Sequence, residues 1–97
     1  MLFLTSDKEF KVNNTPIVYF FSSEMVYPLV KTVFSLLNLI EQNYNISVLC
    51  VDVDRFKNIS KRTQITELPT FLIYKGGKEI KRITGMPNFD DMKNIFE

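Results

Sequence analysis

Three short apolar runs, separated by two helical stretches, most constrain what this chain can fold into. Residues 17–21, 47–54 and 71–74 are rich in β-branched and aromatic side chains, a composition typical of strands covered on both faces. Residues 24–43 and about 55–63 lie between them and are predicted to be helical. Strand–helix–strand units of this kind predict a parallel sheet core joined by crossover helices.

Local signals place the starts and inner faces of these two helices. Pro28 is tolerated only in a first helical turn, so the long helix should begin within a few residues of it. Ser22 and Ser23 supply N-cap chemistry before that helix, and Asp54 is predicted to cap the second one. Five apolar residues of the long helix form one buried stripe: Leu29, Val33, Leu36, Leu37 and Ile40.

Shorter elements complete the order at both ends of the chain. Residues 2–4 form a strand candidate, and Ser6 with Glu9 forms a capping box for a helix over 7–12. A two-glycine turn at 76–77 predicts a hairpin, followed by a polar edge strand over 79–84. The last helix should start at Asn88 or its neighbour, with Asp90 and Asp91 in its first turn and 89, 92, 95 and 96 as its inner stripe. The predicted order is therefore β-α-β-α-β-α-β-β-α.

Size and composition indicate one small domain spanning residues 1–97. The chain is 45% apolar and contains nine phenylalanines, enough to fill a core. No stretch approaches the ~20 apolar residues of a membrane span, and the first residues lack the basic leader of a signal peptide. A lone cysteine also rules out an internal disulfide, which fits a reducing compartment. We therefore expect a cytoplasmic protein with no membrane segment.

Charge is distributed unevenly along a chain whose net charge is +1. Residues 55–82 hold eight bases and two acids, a net of +6, so the remaining residues hold four bases and nine acids, a net of −5. Such a dipole could steer a charged partner. No nucleic-acid motif accompanies the basic segment, so we expect a solvated helix face and hairpin and no nucleic-acid partner.

Several residues at fixed spacing resemble the thioredoxin family. Leu68, Pro69 and Thr70 look like the family's Ile/Val-Pro-Thr loop, with Asp54 fifteen residues before Pro69 and Gly85 sixteen after it. Segments 51–54 and 71–77 match as well, and the spacing runs without gaps from Ile17 to Gly85. The resemblance implies an α/β thioredoxin fold, with a central mixed sheet of about five strands, helices on both faces and a cis proline at 69.

The resemblance also locates the family's Cys-x-x-Cys site, and both thiols are missing. The two cysteine positions fall on Met25 and Pro28, or on Leu29 if one gap is allowed. The chemistry needs a thiolate at a helix N-terminus and a second thiol to resolve the mixed disulfide, and neither Met nor Pro can supply them. The positions of the family's buried Asp and nearby Lys fall on Tyr19 and Cys50. We expect these two residues to replace the charged pair and to fill the same space with apolar side chains. No catalytic residue and no disulfide oxidoreductase activity are therefore expected.

Cys50 is the only cysteine of the chain and lies in the middle of an apolar strand. Burial raises the pKa of a thiol and lowers its reactivity. No histidine is present to act as a base or a metal ligand. We expect a core cysteine and neither a metal nor another cofactor. The alternative is a thiol-redox protein of cell redox homeostasis that acts through Cys50 or through a partner's cysteines.

What remains of the family's site is its peptide-binding surface. In the family, the cis-proline loop holds an extended peptide by backbone hydrogen bonds. The corresponding residues here are Met25, Val26, Tyr27, Leu68, Pro69, Thr70 and Met86. This apolar set predicts a protein- or peptide-interaction, scaffold or chaperone-like module. Alternatively, some of these residues pack inward and Pro69 only shapes its loop.

Overall fold

The computed structural model describes residues 2–3, 5–6, 17–23 and 32–96. Five strands and three helices lie in this part of the chain. The strands are β1 (Leu2–Phe3), β2 (Ile17–Ser22), β3 (Ser47–Asp52), β4 (Thr70–Lys75) and β5 (Lys78–Thr84). The helices are α1 (Val33–Tyr44), α2 (Lys57–Arg62) and α3 (Phe89–Phe96). None of the helices in these residues is long and apolar enough to cross a membrane.

The strands form one mixed sheet in the order β1-β3-β2-β4-β5. β3 pairs in parallel with both β1 and β2, so each of these connections must cross over, as the apolar runs predicted. β4 runs antiparallel to β2, and β5 antiparallel to β4, so the hairpin extends one side of the sheet. β2 therefore lies at the centre, and all its residues from Ile17 to Phe21 are buried.

Alternate residues of β2 face two separate cores, because side chains of a strand alternate between sheet faces. Val18 and Phe20 join the α1/α3 core, which includes Leu37 of α1 and Met92 of α3. Ile17, Tyr19 and Phe21 join the α2 core, which includes Ile59. Helices therefore pack on both faces of the sheet, in agreement with the predicted architecture.

The long helix is described from Val33 to Tyr44, and Asn45 in the left-handed region ends it (φ 52°). Val33, Leu37 and Ile40 of the predicted stripe are buried, and Leu36 packs against the same core. The predicted helix start at 24–31, with Pro28 and Leu29, lies outside the described residues. So do the helix predicted over 7–12 and Glu9 of its capping box.

The predicted cap at Asp54 is wrong. β3 ends at Asp52, two residues earlier than predicted, and α2 begins at Lys57 after Phe56, without a side-chain cap. Asp52 makes the turn instead: its C=O accepts the N–H groups of Arg55 (3.2 Å) and Phe56 (2.9 Å), and its Oδ1 accepts that of Asp54 (2.9 Å). Asp52, the first of the two aspartates, therefore forms the turn between β3 and α2.

The C-terminal elements follow their turn and cap signals. Gly76 and Gly77 form the two-residue hairpin loop with φ of 62° and 83°, as a type I′ turn requires. β5 lies at the edge of the sheet, as predicted. Asn88 precedes α3: its Oδ1 accepts the Asp91 N–H (2.9 Å), and Asp91 Oδ2 accepts the Asn88 N–H (3.3 Å). This reciprocal pair confirms the predicted start of the last helix.

Candidate functional site

The loop between α2 and β4 contains a cis peptide bond at Leu68–Pro69, as the resemblance implied. The Pro69 C=O accepts the N–H of Gly85 at 2.9 Å, which ties the loop to the end of β5. The Thr70 hydroxyl donates to the C=O of Glu67 and closes the loop on itself. Neither of these two hydrogen bonds uses Leu68; the cis-proline loop is defined here as residues 67–70.

The predicted binding residues divide by exposure. Pro69 and Thr70 are buried, and Leu68 is half-buried because it packs against the α2 core. Met86, which follows Gly85, is 52% exposed. Met25, Val26 and Tyr27 lie outside the described residues. Among the described members, therefore, only Met86 presents a largely exposed apolar side chain, and the alternative of inward packing applies to Leu68, Pro69 and Thr70.

The main chain of Leu68 offers polar groups in the cis-proline loop. Within the described part of the chain, neither its N–H nor its C=O has a hydrogen-bond partner. A main-chain donor and acceptor on one residue are the groups that an extended peptide pairs with when it adds to a strand. Leu68 therefore presents the two kinds of main-chain group that pair with an extended chain.

Cys50 lies in the α1/α3 core and is 4% exposed. Burial, reinforced by the nearby Glu41 carboxylate, raises the pKa of its thiol from 9.0 to about 12. The thiol is therefore fully protonated near neutral pH and is a poor nucleophile. The described residues contain no cluster of three or more Cys, Asp or Glu that could hold a metal ion.

The expectation that Tyr19 and Cys50 fill one space is wrong. Tyr19 pairs with Leu49 across the sheet and Cys50 pairs with Phe20, so the two side chains belong to opposite cores. Tyr19 packs edge-to-face on Tyr74, with ring centroids 5.4 Å apart. Spacing along the chain identified both positions as buried, but the face that each occupies depends on strand register, which spacing does not reveal.

Two members of the basic segment make hydrogen bonds to other parts of the fold: Arg55 donates to the C=O of Thr5 (3.3 Å), and Arg82 makes several such bonds. Arg82 donates to the C=O groups of Thr63 (2.7 Å) and Gln64 (3.0 Å) behind α2, and it pairs with Glu79 at 3.1 Å. The three bases of α2, at 57, 61 and 62, are exposed and make no ion pair within the described residues. They form the solvated helix face that the sequence predicted.

Sequence reasoning missed the two contacts that hold the cis-proline loop in place. The Thr70 hydroxyl was read as part of a binding surface, whereas it bonds to Glu67. The sequence identified Gly85 only by its distance from Pro69 along the chain. The structure gives the physical reason for a glycine there: its φ is 82°, and its N–H donates to the C=O of Pro69. For the bond between Thr70 and Glu67, the signal available in the sequence was a threonine directly after a proline.

Comparisons with known proteins agree with this geometry. The family model described as Thioredoxin matches residues 7–97. Thioredoxin H2 of Arabidopsis thaliana is 31% identical over 78 residues, which cover 79% of this chain and 58% of that protein. Thioredoxin-2 of Saccharomyces cerevisiae is 33% identical over 45 residues, 46% of this chain and 43% of the relative. The alignments thus span less than two thirds of these relatives' length.

Solved structures match over nearly the whole chain. Mitochondrial thioredoxin 3 of Saccharomyces cerevisiae, in its oxidised form, is 27% identical with a TM-score of 0.82, covering 99% of this chain and 92% of that one. A thioredoxin mutant from Halobacterium salinarum has a TM-score of 0.86 at 15% identity, covering 98% and 86%. The second likeness concerns the fold alone.

Proposed function

Because the chain belongs to the thioredoxin family, we propose that it is a redox-inactive member that binds an extended peptide or protein segment at the cis-proline loop, as an interaction, scaffold or chaperone-like module. One observation carries the proposal: within the described residues the main-chain donor and acceptor of Leu68 have no hydrogen-bond partner, while the only thiol is buried elsewhere. Binding groups are present and redox groups are lacking.

The absence of redox activity follows from chemistry at two positions. A thioether at Met25 cannot form a thiolate, and Pro28 has no reactive side chain. Cys50 cannot substitute for them, because its pKa of about 12 leaves a thiolate fraction at pH 8 about a thousandfold below that of a thiol with pKa 9.0. We propose that the protein is not a disulfide oxidoreductase and that it works in the cytoplasm.

Peptide affinity should be modest. Each backbone hydrogen bond to Leu68 contributes about 0.5–1.5 kcal/mol, so two bonds contribute only about 1–3 kcal/mol. Side-chain contacts must supply the rest, and Met86 offers a flexible apolar surface that adapts to varied partners. This favours a partner segment that carries apolar side chains next to an extended backbone.

The binding proposal is tested with Met86→Asp and the matched control Leu39→Asp. The two side chains have similar exposure, 52% and 48%, but Leu39 lies on α1. A library of unstructured peptides is selected on the wild-type protein, and the affinity of the best binder is measured by calorimetry. We expect Met86→Asp to weaken binding at least fivefold and Leu39→Asp to leave it unchanged. Equal losses in the two variants, or no selectable peptide, would contradict the proposal.

The redox proposal is tested by insulin disulfide reduction in the presence of dithiothreitol. We expect the wild-type rate to equal that of dithiothreitol alone. The double variant Met25→Cys, Pro28→Cys serves as the positive control, because it restores thiols at the positions that the family uses. Wild-type turnover that disappears in Cys50→Ser would overturn the proposal in favour of a thiol-redox protein acting through Cys50.

A further inference from the structure

A pocket of about 240 Å³ opens beside Cys50, on the face of the sheet that carries α1. Its apolar part is lined by the rings of Phe3, Phe20 and Phe34 and by Cys50. None of its lining residues belongs to the cis-proline loop, so an inference about this pocket goes beyond the proposed function.

Contacts between aromatic rings hold the apolar wall in place. Phe34 of α1 meets Phe3 of β1 edge-to-face at 6.3 Å between centroids, and meets Phe20 of β2 edge-to-face at 5.9 Å. Phe20 in turn stacks on Phe71 of β4 at 4.8 Å. These contacts tie three strands and a helix together, so the pocket exists before any ligand arrives. A preformed pocket avoids the ordering cost that binding otherwise carries.

Three polar residues line the pocket: Ser22, Ser23 and Asp52. Ser22 and Asp52 line it at the carboxyl ends of β2 and β3, where they are register partners. Asp52 Oδ1 accepts the N–H of Asp54, and a carboxylate has further acceptor sites. Within the described residues no cation pairs with Asp52. Among the described residues, the Asp52 carboxylate therefore has no cationic partner and can accept a hydrogen bond from a donor that enters beside the rings.

We propose that this pocket binds a small molecule with one aromatic ring and a short arm that ends in an ammonium or another hydrogen-bond donor. An apolar cavity of about 150 Å³ already accommodates benzene, so about 240 Å³ holds a ring together with a short arm. The ring contacts Phe3, Phe20 and Phe34, and the ammonium points to Asp52. Cys50 contributes an uncharged wall and takes part in no covalent step.

The test uses benzylamine and toluene, which have the same ring but different arms. Each is titrated into ¹⁵N-labelled protein at pH 7, and amide shifts are followed by NMR. We expect saturable benzylamine binding with an affinity on the order of 1 mM, usual for so small a ligand, with shifts centred on Phe34, Cys50 and Asp52. Toluene should bind about two- to fivefold more weakly, the range for a half-exposed ion pair.

Two variants test whether the ligands bind in this pocket or elsewhere on the surface. Cys50→Leu fills the apolar end and should abolish binding of both ligands. Asp52→Asn keeps the acceptor for Asp54 but removes the charge, so benzylamine should fall to the affinity of toluene. If Cys50→Leu does not fold, the Asp52→Asn comparison decides alone.

Three outcomes would overturn the proposal. One is the absence of saturable shifts in the wild-type protein. Another is a set of shifts centred on Leu68 and Met86, which would indicate adhesion to the proposed peptide surface. The third is unchanged benzylamine affinity in Asp52→Asn or in folded Cys50→Leu. Because peptide selection at Met86 is measured separately, failure of the pocket and failure of the proposed function are distinguishable.

Discussion

The burial of Cys50 predicts a specific loss of stability at alkaline pH. The thiol has a pKa of about 12 in the folded protein and 9.0 when solvated. Above pH 9 the unfolded chain releases this proton while the folded protein still holds it, so the unfolded state gains free energy. The stabilisation is therefore complete below pH 9 and is lost as pH rises toward 12. From these two pKa values, the loss between pH 7 and pH 10 is on the order of 1 kcal/mol.

Cys50→Ala isolates this contribution, because alanine removes the titrating group and adds no polar atom to the core. Truncation itself should cost about 1 kcal/mol, equally at both pH values. Other groups, including Tyr74, whose pKa is raised by burial and by the neighbouring Glu79, titrate in both proteins and cancel. The free energy of unfolding is measured by urea titration with circular dichroism, under reductant, at pH 7 and pH 10.

Between the two pH values the wild-type protein should lose more stability than Cys50→Ala, by an amount on the order of 1 kcal/mol. If the two proteins lose the same free energy within experimental error, Cys50 titrates at its ordinary pKa and is not the buried group described here. That result would also remove the main physical argument against redox chemistry at this residue.

Three further predictions concern contacts that hold the frame of the site, each measured by urea unfolding at pH 7. Arg82→Lys should cost about 1–2 kcal/mol, because an ammonium cannot replace the guanidinium fork that reaches Thr63 and Gln64; an unchanged free energy would show that water replaces these bonds. Asn88→Ala should cost about 1 kcal/mol by removing the helix cap, whereas Asn88→Ser should cost little; equal losses would contradict a capping role. Met92→Ala should cost about 2–5 kcal/mol because Met92 is fully buried, whereas the same change at the exposed Met86 should cost less than about 0.5 kcal/mol; similar costs would contradict the described core.

The parts of the fold that the sequence predicted are those that single segments determine. A continuous apolar run made β2 recognisable as a central strand, and the two glycines at 76–77 identified the hairpin. Asn88 with Asp91 is likewise a local signal, and the cap formed as expected. These features need no knowledge of what packs against them.

The errors arose where a side chain had two local alternatives or where register mattered. Asp52 and Asp54 are both able to accept backbone N–H groups, and only the geometry of the turn selects Asp52. Inward packing was an open alternative for Thr70, and its hydroxyl finds an acceptor within its own loop. Tyr19 and Cys50 were both correctly placed inside the protein, on what proved to be opposite faces of the sheet.

The contacts of the cis-proline loop explain why peptide recognition could outlast the loss of thiol chemistry. The loop is held by the Gly85 N–H and by the Thr70 hydroxyl, and neither contact involves a cysteine. The groups that we propose for peptide binding, at Leu68, belong to the main chain, which no side-chain substitution removes. Catalysis, in contrast, depends on two particular thiols and on their pKa values. The proposed function therefore rests on loop contacts that the described residues make without a cysteine.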